Sequence, residues 1–146
     1  MSLNIRKMAK SDVNALFALL SDPKVMKFIE KPYTLKQTES FLNNAGLINT
    51  PLVYAVEENE KFIGYVIYHE YDEKSMEIGW VLLPEYWGRG YALKLTDKLI
   101  RKSKQDGKGL VIECVSEQKA TKHIALKKGF TYVGKCNGLD VYRLDF

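Results

Sequence analysis

Apolar and polar positions alternate along much of the chain in the two-residue period of half-buried β-strands. Three such segments, 52–57, 62–71 and 76–83, are separated by short polar turns, which predicts an antiparallel meander. A further strand is expected at residues 4–8. Near the end, 110–115 is an apolar strand, and 131–135 and 141–146 predict a hairpin around Asn137-Gly138.

Between these strands the apolar residues recur at helical spacing. We expect Ser11 to cap a first helix, which Asp22-Pro23 breaks. Thr34 and Gln37 form a capping box that opens a second helix, and Gly46 ends it. Segments 93–104 and 117–128 predict two more helices. The first of these connects two strands as a crossover, so the strand at 110–115 is expected to be parallel to its neighbour.

Length and composition restrict the class of protein. We expect 146 residues with 46% hydrophobic and 27% charged positions to form one globular domain, residues 1–146. No apolar run approaches the roughly 20 residues of a membrane span and no signal peptide is evident, so we expect a cytoplasmic protein without a membrane partner. The net charge of +4 is too modest to indicate nucleic-acid binding. The two cysteines and two histidines lack metal-ligand spacing, so no metal is expected.

The segment Trp87-Gly88-Arg89-Gly90-Tyr91-Ala92 lies between a strand and a helix. The first N–H groups of a helix lack partners inside it, and the helix dipole favours negative charge there. Gly90 lets the backbone approach a phosphate closely, and Ala92 leaves the first turn unobstructed. The pattern predicts a diphosphate site. It lacks the third glycine of a dinucleotide fold and the Gly-Lys-Ser/Thr of a P-loop.

This segment resembles the acetyl-CoA signature of the GNAT acetyltransferases, Arg/Gln-x-x-Gly-x-Gly/Ala. Gly90 and Ala92 match it, while Trp87 stands where Arg or Gln is usual. The residues of this segment are similar to those of the family branch that includes the ribosomal-protein N-terminal acetyltransferases. Residues 112–115, and a later helix that ends before Gly129-Phe130, resemble a second family block. The resemblance implies an α/β (α+β) fold with a mixed, mostly antiparallel central sheet flanked by helices, in the order β-α-α-β-β-β-α-β-α-β-β.

The resemblance also implies a co-substrate and its binding residues. Acetyl-CoA would lay its pantetheine arm along the backbone of Trp80, Val81 and Leu82, and its diphosphate would bind Gly88, Arg89, Gly90, Tyr91, Ala92 and Leu93. Gln118 and Thr121 would contact it from the last helix. The acetyl group would pass directly to a primary amine, either a peptide N-terminus or a small amine such as a polyamine or amino sugar. A monomer or homodimer is expected.

Two acids are candidates for the general base that deprotonates the acceptor ammonium. Glu113 lies mid-strand between Val111 and Val115, where a carboxylate carries a desolvation cost unless it has a partner or a use. It also aligns with a glutamate that acts as base in some family members. Glu77 shares a strand face with Gly79, close to where the thioester is expected.

The resemblance leaves two questions open. Ala125 occupies the position of the tyrosine that protonates the leaving thiolate in many members, so water or another tyrosine such as Tyr142 would take that role, or the chain binds CoA without catalysis. The acceptor pocket is expected from the first helices and the last hairpin, with six candidate side chains: Phe28, Ile29, Tyr33, Tyr68, Tyr71 and Tyr142.

Overall fold

The computed structural model describes residues 3–146, in which strands and helices follow the predicted order except that one further short helix lies between the first two predicted helices. The strands are β1 Leu3–Arg6, β2 Val53–Glu58, β3 Lys61–Asp72, β4 Ser75–Leu82, β5 Gly109–Cys114, β6 Thr131–Cys136 and β7 Leu139–Leu144. The α-helices are α1 Val13–Leu20, α2 Pro23–Met26, α3 Leu35–Phe41, α4 Tyr91–Gln105 and α5 Lys119–Lys127.

The seven strands form one hydrogen-bonded sheet in the order β1-β2-β3-β4-β5-β7-β6. β1–β2, β2–β3, β5–β7 and β6–β7 pair antiparallel. β4 and β5 pair parallel, as predicted for two strands joined by a helical crossover. The mixed, mostly antiparallel sheet flanked by helices is therefore confirmed.

The contacts divide the described chain into two compact units. Residues 3–67 with 80–89 form the first unit, and residues 68–79 with 90–146 form the second. The first unit buries apolar side chains of α1, α2, β2 and β3, including Leu16, Leu19, Met26, Ala55 and Tyr65. The second buries Ile78, Leu95, Leu99, Leu110 and Ile112. That the chain is a single domain stays a prediction.

The first helix begins differently from the prediction. Ser11 is exposed, and Asp12 organises the segment instead by accepting the Ala9 N–H at 2.8 Å. Arg6 donates to both Asp12 carboxylate oxygens at 2.8 Å, and its Nε lies 2.9 Å from Glu57. The prediction that Ser11 caps the first helix is therefore wrong. The buried carboxylate of Asp12, one residue later, has both a backbone and a guanidinium partner.

The capping box of α3 is confirmed. Gln37 N–H donates to Thr34 Oγ1 at 3.1 Å, and Thr34 N–H donates to Gln37 Oε1 at 2.8 Å. The helix continues beyond Phe41 as a π-helical turn through Gly46. A Cβ on Gly46 would lie 2.8 Å from the Met8 sulfur, so the Met8 side chain would have to move to accommodate a larger residue there.

The β6–β7 hairpin in the second unit turns at Asn137 and Gly138, whose φ angles of 51° and 82° agree with the two-residue turn expected from the sequence. Asp140, just after that turn, is buried and accepts from Lys122 Nζ at 2.7 Å and Lys135 Nζ at 2.9 Å. These bonds from α5 and β6 hold the pKa of Asp140 well below its ordinary value.

We expect the Asp140 contacts to make folding pH-dependent. Because its pKa is depressed in the folded state, their stabilisation is complete above the ordinary value of 3.8 and is lost as the pH falls further. Asp140→Asn should lower the midpoint of urea unfolding at pH 7 and flatten the acid dependence of that midpoint. The control is Asp145→Asn, at an exposed site. Parallel pH curves for wild type and Asp140→Asn would refute this role.

Candidate functional site

The turn between β4 and α4 contains two glycines in the left-handed conformation. Gly88 has φ 69° and Gly90, the N-cap of α4, has φ 83°. A Cβ on either glycine would meet no heavy atom within 4 Å. The first intrahelical donor is Lys94, whose N–H bonds Gly90 O at 3.2 Å, so Ala92 lies in the first turn, where N–H groups are available to an anion. α4 thus begins two residues earlier than predicted.

The end of β4, in the first unit, is fixed by two close contacts. Trp87 Nε1 donates to Leu82 O at 2.8 Å, so this carbonyl is engaged within the protein. A Cβ on Gly64 of β3 would overlap the Val81 carbonyl oxygen and lie 2.9 Å from Leu82 Cα. Trp80 and Val81 are half-buried and Leu82 is buried. The segment predicted to hold pantetheine is therefore held from β3 and by the Trp87 indole.

Arg89 is exposed in the same turn. Its guanidinium lies 5.6 Å from the centre of the Tyr86 ring, within the range of a cation–π contact. Tyr91 is buried at the start of α4, whereas Ala92 and Leu93 are half-buried. The turn therefore combines an exposed cation with an open backbone.

In the second unit, both candidate acids lie on one face of the strands. The parallel register pairs Glu77 with Val111, and Glu113 follows Val111 by two residues. The register ends at this pair, although β5 continues to Cys114 and β4 runs on to Gly79 within the unit. The two carboxylates therefore lie where the β4–β5 ladder stops.

Glu113 is half-buried and has a direct partner. The Tyr71 hydroxyl of β3 donates to Glu113 Oε2 at 2.9 Å. This hydrogen bond raises the pKa of Tyr71, so the phenol keeps its proton. The desolvation cost expected for a carboxylate beside Val111 is therefore offset by a hydroxyl donor, which the sequence pattern had not revealed.

Glu77 has a different environment. Burial raises its pKa, and the nearby charge of Glu113 acts in the same direction. His69 opposes both effects: its Nε2 lies 3.6 Å from Glu77 Oε1, within ion-pair distance. Sequence reasoning missed His69, which reaches Glu77 from β3.

The last helix presents the other predicted positions. Gln118 is half-buried at the start of α5, and its Oε1 accepts the Val115 N–H at 2.9 Å. Because the Gln118 side-chain oxygen is engaged in this way, its amide nitrogen is the group that could bind a ligand. Thr121 is half-buried, whereas Ala125 is completely buried. A tyrosine at 125 would therefore place its ring at a position that is closed to solvent.

The six acceptor-pocket candidates belong to both units, three to each. Tyr33 lines a groove of about 450 Å³ in the first unit with Glu30, Lys36, Gln37, Ser40, Phe41, Asn44 and Ala45. Phe28 and Ile29 are exposed. In the second unit the Tyr68 hydroxyl donates to Asp106 at 2.6 Å, Tyr71 is bonded to Glu113, and Tyr142 is buried.

The sequence also matches a known family model. An acetyltransferase (GNAT) domain matches residues 2–131. The chain belongs to the GNAT acetyltransferase family. It is 31% identical over 101 residues to the N-acetyltransferase YnaD of Bacillus subtilis, a match that covers 67% of this chain and 59% of YnaD. With p20 of Bacillus licheniformis it shares 29% identity over 107 residues, covering 67% of this chain and 60% of p20. The match thus spans about three fifths of the length of these curated relatives.

Solved structures agree with the fold. A GNAT acetyltransferase from Bacillus anthracis superposes with a TM-score of 0.84 at 26% identity, covering 99% of this chain and 93% of that one. The spermidine N-acetyltransferase of Vibrio cholerae, solved with CoA and spermine, gives 0.79 at 22% identity, covering 97% and 93%. RimL, a ribosomal L7/L12 alpha-N-protein acetyltransferase, gives 0.83 at 19% identity, covering 100% and 91%.

Two further properties concern residues 3–146. In this range no three His, Cys, Asp or Glu side chains are grouped so as to hold a metal ion. Nor does any helix there combine the length and apolarity needed to cross a bilayer.

The close approach at Gly64 gives a stability prediction. We expect Gly64→Ala to lower the free energy of unfolding by about 1–3 kcal/mol, because its methyl group would overlap the backbone of β4. Gly107→Ala is the control: Gly107 has φ 69° and open space, so it carries only the cost of a left-handed alanine, about 1 kcal/mol. Equal losses in urea unfolding would contradict a packing role for Gly64.

Proposed function

We propose that this chain is an acetyl-CoA-dependent N-acetyltransferase that moves an acetyl group directly to a primary amine. Membership of the GNAT family supports the reaction class. Relatives of known structure bind CoA or acetyl-CoA, as in the Vibrio cholerae enzyme and in the acetyl-CoA complex of MccE. The observation that carries the proposal is the pair of left-handed glycines, Gly88 and Gly90, at the start of α4.

The residues of this turn fit the diphosphate of CoA. The positive φ angles of Gly88 and Gly90 and the open space beside both allow close approach of a phosphate to the backbone. The amides of Ala92 and Leu93 and the helix dipole favour negative charge, and exposed Arg89 and Lys94 add positive charge. We assign the diphosphate to the segment from Gly88 to Leu93, which includes Tyr91.

For the pantetheine arm we propose the backbone of Trp80 and Val81. Leu82 belongs to the same segment, but its carbonyl accepts from Trp87, so only its other groups would contribute. On α5, the amide nitrogen of Gln118 and the hydroxyl of Thr121 are the groups we assign to the co-substrate. CoA supplies a thioester whose carbonyl carbon accepts the nucleophile.

The reaction needs a base, because the acceptor arrives as an ammonium. We propose Glu77 for this step, since burial raises its pKa and so increases its basicity as a carboxylate. Glu113 is the second candidate; its Oε2 is engaged by Tyr71. Loss of one proton frees the amine, whose nitrogen forms the new C–N bond as the C–S bond breaks. The second nitrogen proton goes to the departing thiolate.

The acceptor is assigned only as a primary amine. RimL acts on a protein N-terminus and the Vibrio cholerae enzyme on spermidine, so the likeness in fold supports both kinds of acceptor. A screen of peptides, polyamines and amino sugars, read by release of free CoA thiol, separates the two. If none of the acceptors caused release of thiol while a positive-control enzyme did so in the same screen, a CoA-binding module without catalysis would be favoured.

We expect Gly90→Asp to abolish most CoA binding. The substitution places a carboxylate where the phosphates would lie and strains a left-handed position. Gly107→Asp is the matched control, because Gly107 also has a positive φ and open space but lies beyond the C-terminal end of α4. Isothermal titration calorimetry measures both. Equal CoA affinity in the two variants would show that the diphosphate does not bind at this turn.

We expect Glu77→Gln to lower kcat by roughly 100-fold at neutral pH, the usual loss of a general base. The dissociation constant of acetyl-CoA should stay unchanged, and part of the rate should return at high pH as the acceptor amine deprotonates unaided. Glu113→Gln keeps a side-chain acceptor for Tyr71 and should lose less. If Glu113→Gln alone were impaired, Glu113 would be the base, as its alignment with the family glutamate suggests.

A further inference from the structure

His69 lies beside Glu77 on the face of the second unit that carries both acids. Its Nδ1 is 3.0 Å from the carbonyl oxygen of Glu70, and its Nε2 is 3.6 Å from Glu77 Oε1. A carbonyl oxygen can only accept, so Nδ1 must carry a proton and donate. The backbone carbonyl therefore holds the proton on Nδ1, and Nε2 is the ring nitrogen that faces Glu77.

This geometry restricts how Glu77 and His69 can be protonated together. If neither Nε2 nor Glu77 carries a proton, a nitrogen lone pair faces a carboxylate, which is repulsive. If both carry one, the imidazolium no longer faces a negative charge and the ion pair is lost. The favoured states hold one proton between them, either on Nε2 opposite a carboxylate or on Glu77 opposite a neutral ring. At 3.6 Å the two groups form an ion pair beyond hydrogen-bond distance, and a proton can pass between them only when that distance shortens, as catalytic contacts often do when substrate binds.

The other charged groups around Glu77 do not offer the same exchange. Glu113 of β5 accepts from the Tyr71 hydroxyl of β3. Arg143 of β7 donates to Ser75 Oγ at 3.1 Å and to Asp72 at 3.0 Å, and it lies over the Tyr71 ring. Both side chains of the His69–Glu77 pair are partly exposed, at 29% and 23%, so the imidazole also has a path to solvent.

We propose that His69 is the positioning residue of Glu77 and carries away the proton that Glu77 removes from the acceptor ammonium. This inference rests on the proposed N-acetyltransferase function. The ammonium N–H bond breaks and its proton moves to Glu77 while the Nε2 proton of cationic His69 leaves to water. The Glu77 proton then moves to Nε2, which restores the starting state. The second proton of the attacking nitrogen goes to the thiolate as the C–N bond forms and the C–S bond breaks. One turnover therefore releases one proton to solvent.

His69→Gln tests the inference through the pH profile of kcat/KM. Glutamine places an amide nitrogen near the position of Nε2 but neither carries charge nor exchanges its protons. Because a cationic His69 lowers the pKa of Glu77, its loss raises that pKa. The acidic limb should then move to higher pH by roughly 0.5–1 unit, the low end for an opposite charge because both groups are partly exposed. A uniform loss at every pH would overturn the inference and leave His69 a structural residue.

Two variants complete the kinetic test. Glu70→Gln retains the backbone carbonyl that holds Nδ1 and removes an exposed neighbouring carboxylate, so its acidic limb should stay in place or move to lower pH. His69→Gln in the Glu77→Gln background should have no further effect on the limb, because His69 acts through Glu77. An additional shift in the double variant would contradict the proposal.

A second measurement does not depend on turnover. Carbon-13 NMR of the Glu77 carboxyl group, assigned with Glu77→Gln, gives its titration midpoint in wild type and His69→Gln without any acceptor. The midpoint should be higher in His69→Gln, and an unchanged midpoint would overturn the coupling. If wild type acetylated no amine while the midpoint still moved, the proposed function would fail and the coupling of the pair would stand.

Discussion

The start of α4 depends on a backbone conformation that glycine adopts at little cost and other residues do not. Gly90 ends the turn at φ 83° and is the N-cap of the helix, and Gly88 repeats the left-handed conformation two residues earlier. Side chains at these positions would fill space that is open in the structure. The open backbone, the helix dipole and exposed Arg89 are the features on which we base the proposed diphosphate site and its co-substrate.

A second constraint concerns charge on the sheet. Two carboxylates on neighbouring strands would repel each other, and the structure gives each a different partner from β3. Tyr71 donates a hydrogen bond to Glu113, while His69 lies within ion-pair distance of Glu77. The two acids are therefore chemically different, although the sequence presents both as glutamates in apolar strands. Division of roles between two carboxylates by their surroundings is a general means of separating a base from a charged neighbour.

Much of the fold was predictable because it depends on local signals. The Thr34–Gln37 capping box, the Asn137-Gly138 turn and the parallel β4–β5 pair are confirmed by the structure. Predictions failed where a contact over a longer distance decides. Asp12 replaces Ser11 at the first helix because Arg6 binds it. Likewise, the alternation of apolar and polar residues in β3 cannot show that His69 contacts Glu77 of β4 or that Tyr71 bonds Glu113 of β5.

The most direct test of the central claim is a CoA titration followed by amide proton–nitrogen NMR. The account predicts that, among assigned amides, those of Gly88, Gly90, Ala92 and Leu93 shift most and saturate together, and that desulfo-CoA, which keeps the diphosphate, shifts them equally. Pantetheine alone, which lacks the diphosphate, should leave them in place. If CoA saturated the protein and these amide signals did not shift, the account would be contradicted, because the start of α4 would then not hold the diphosphate.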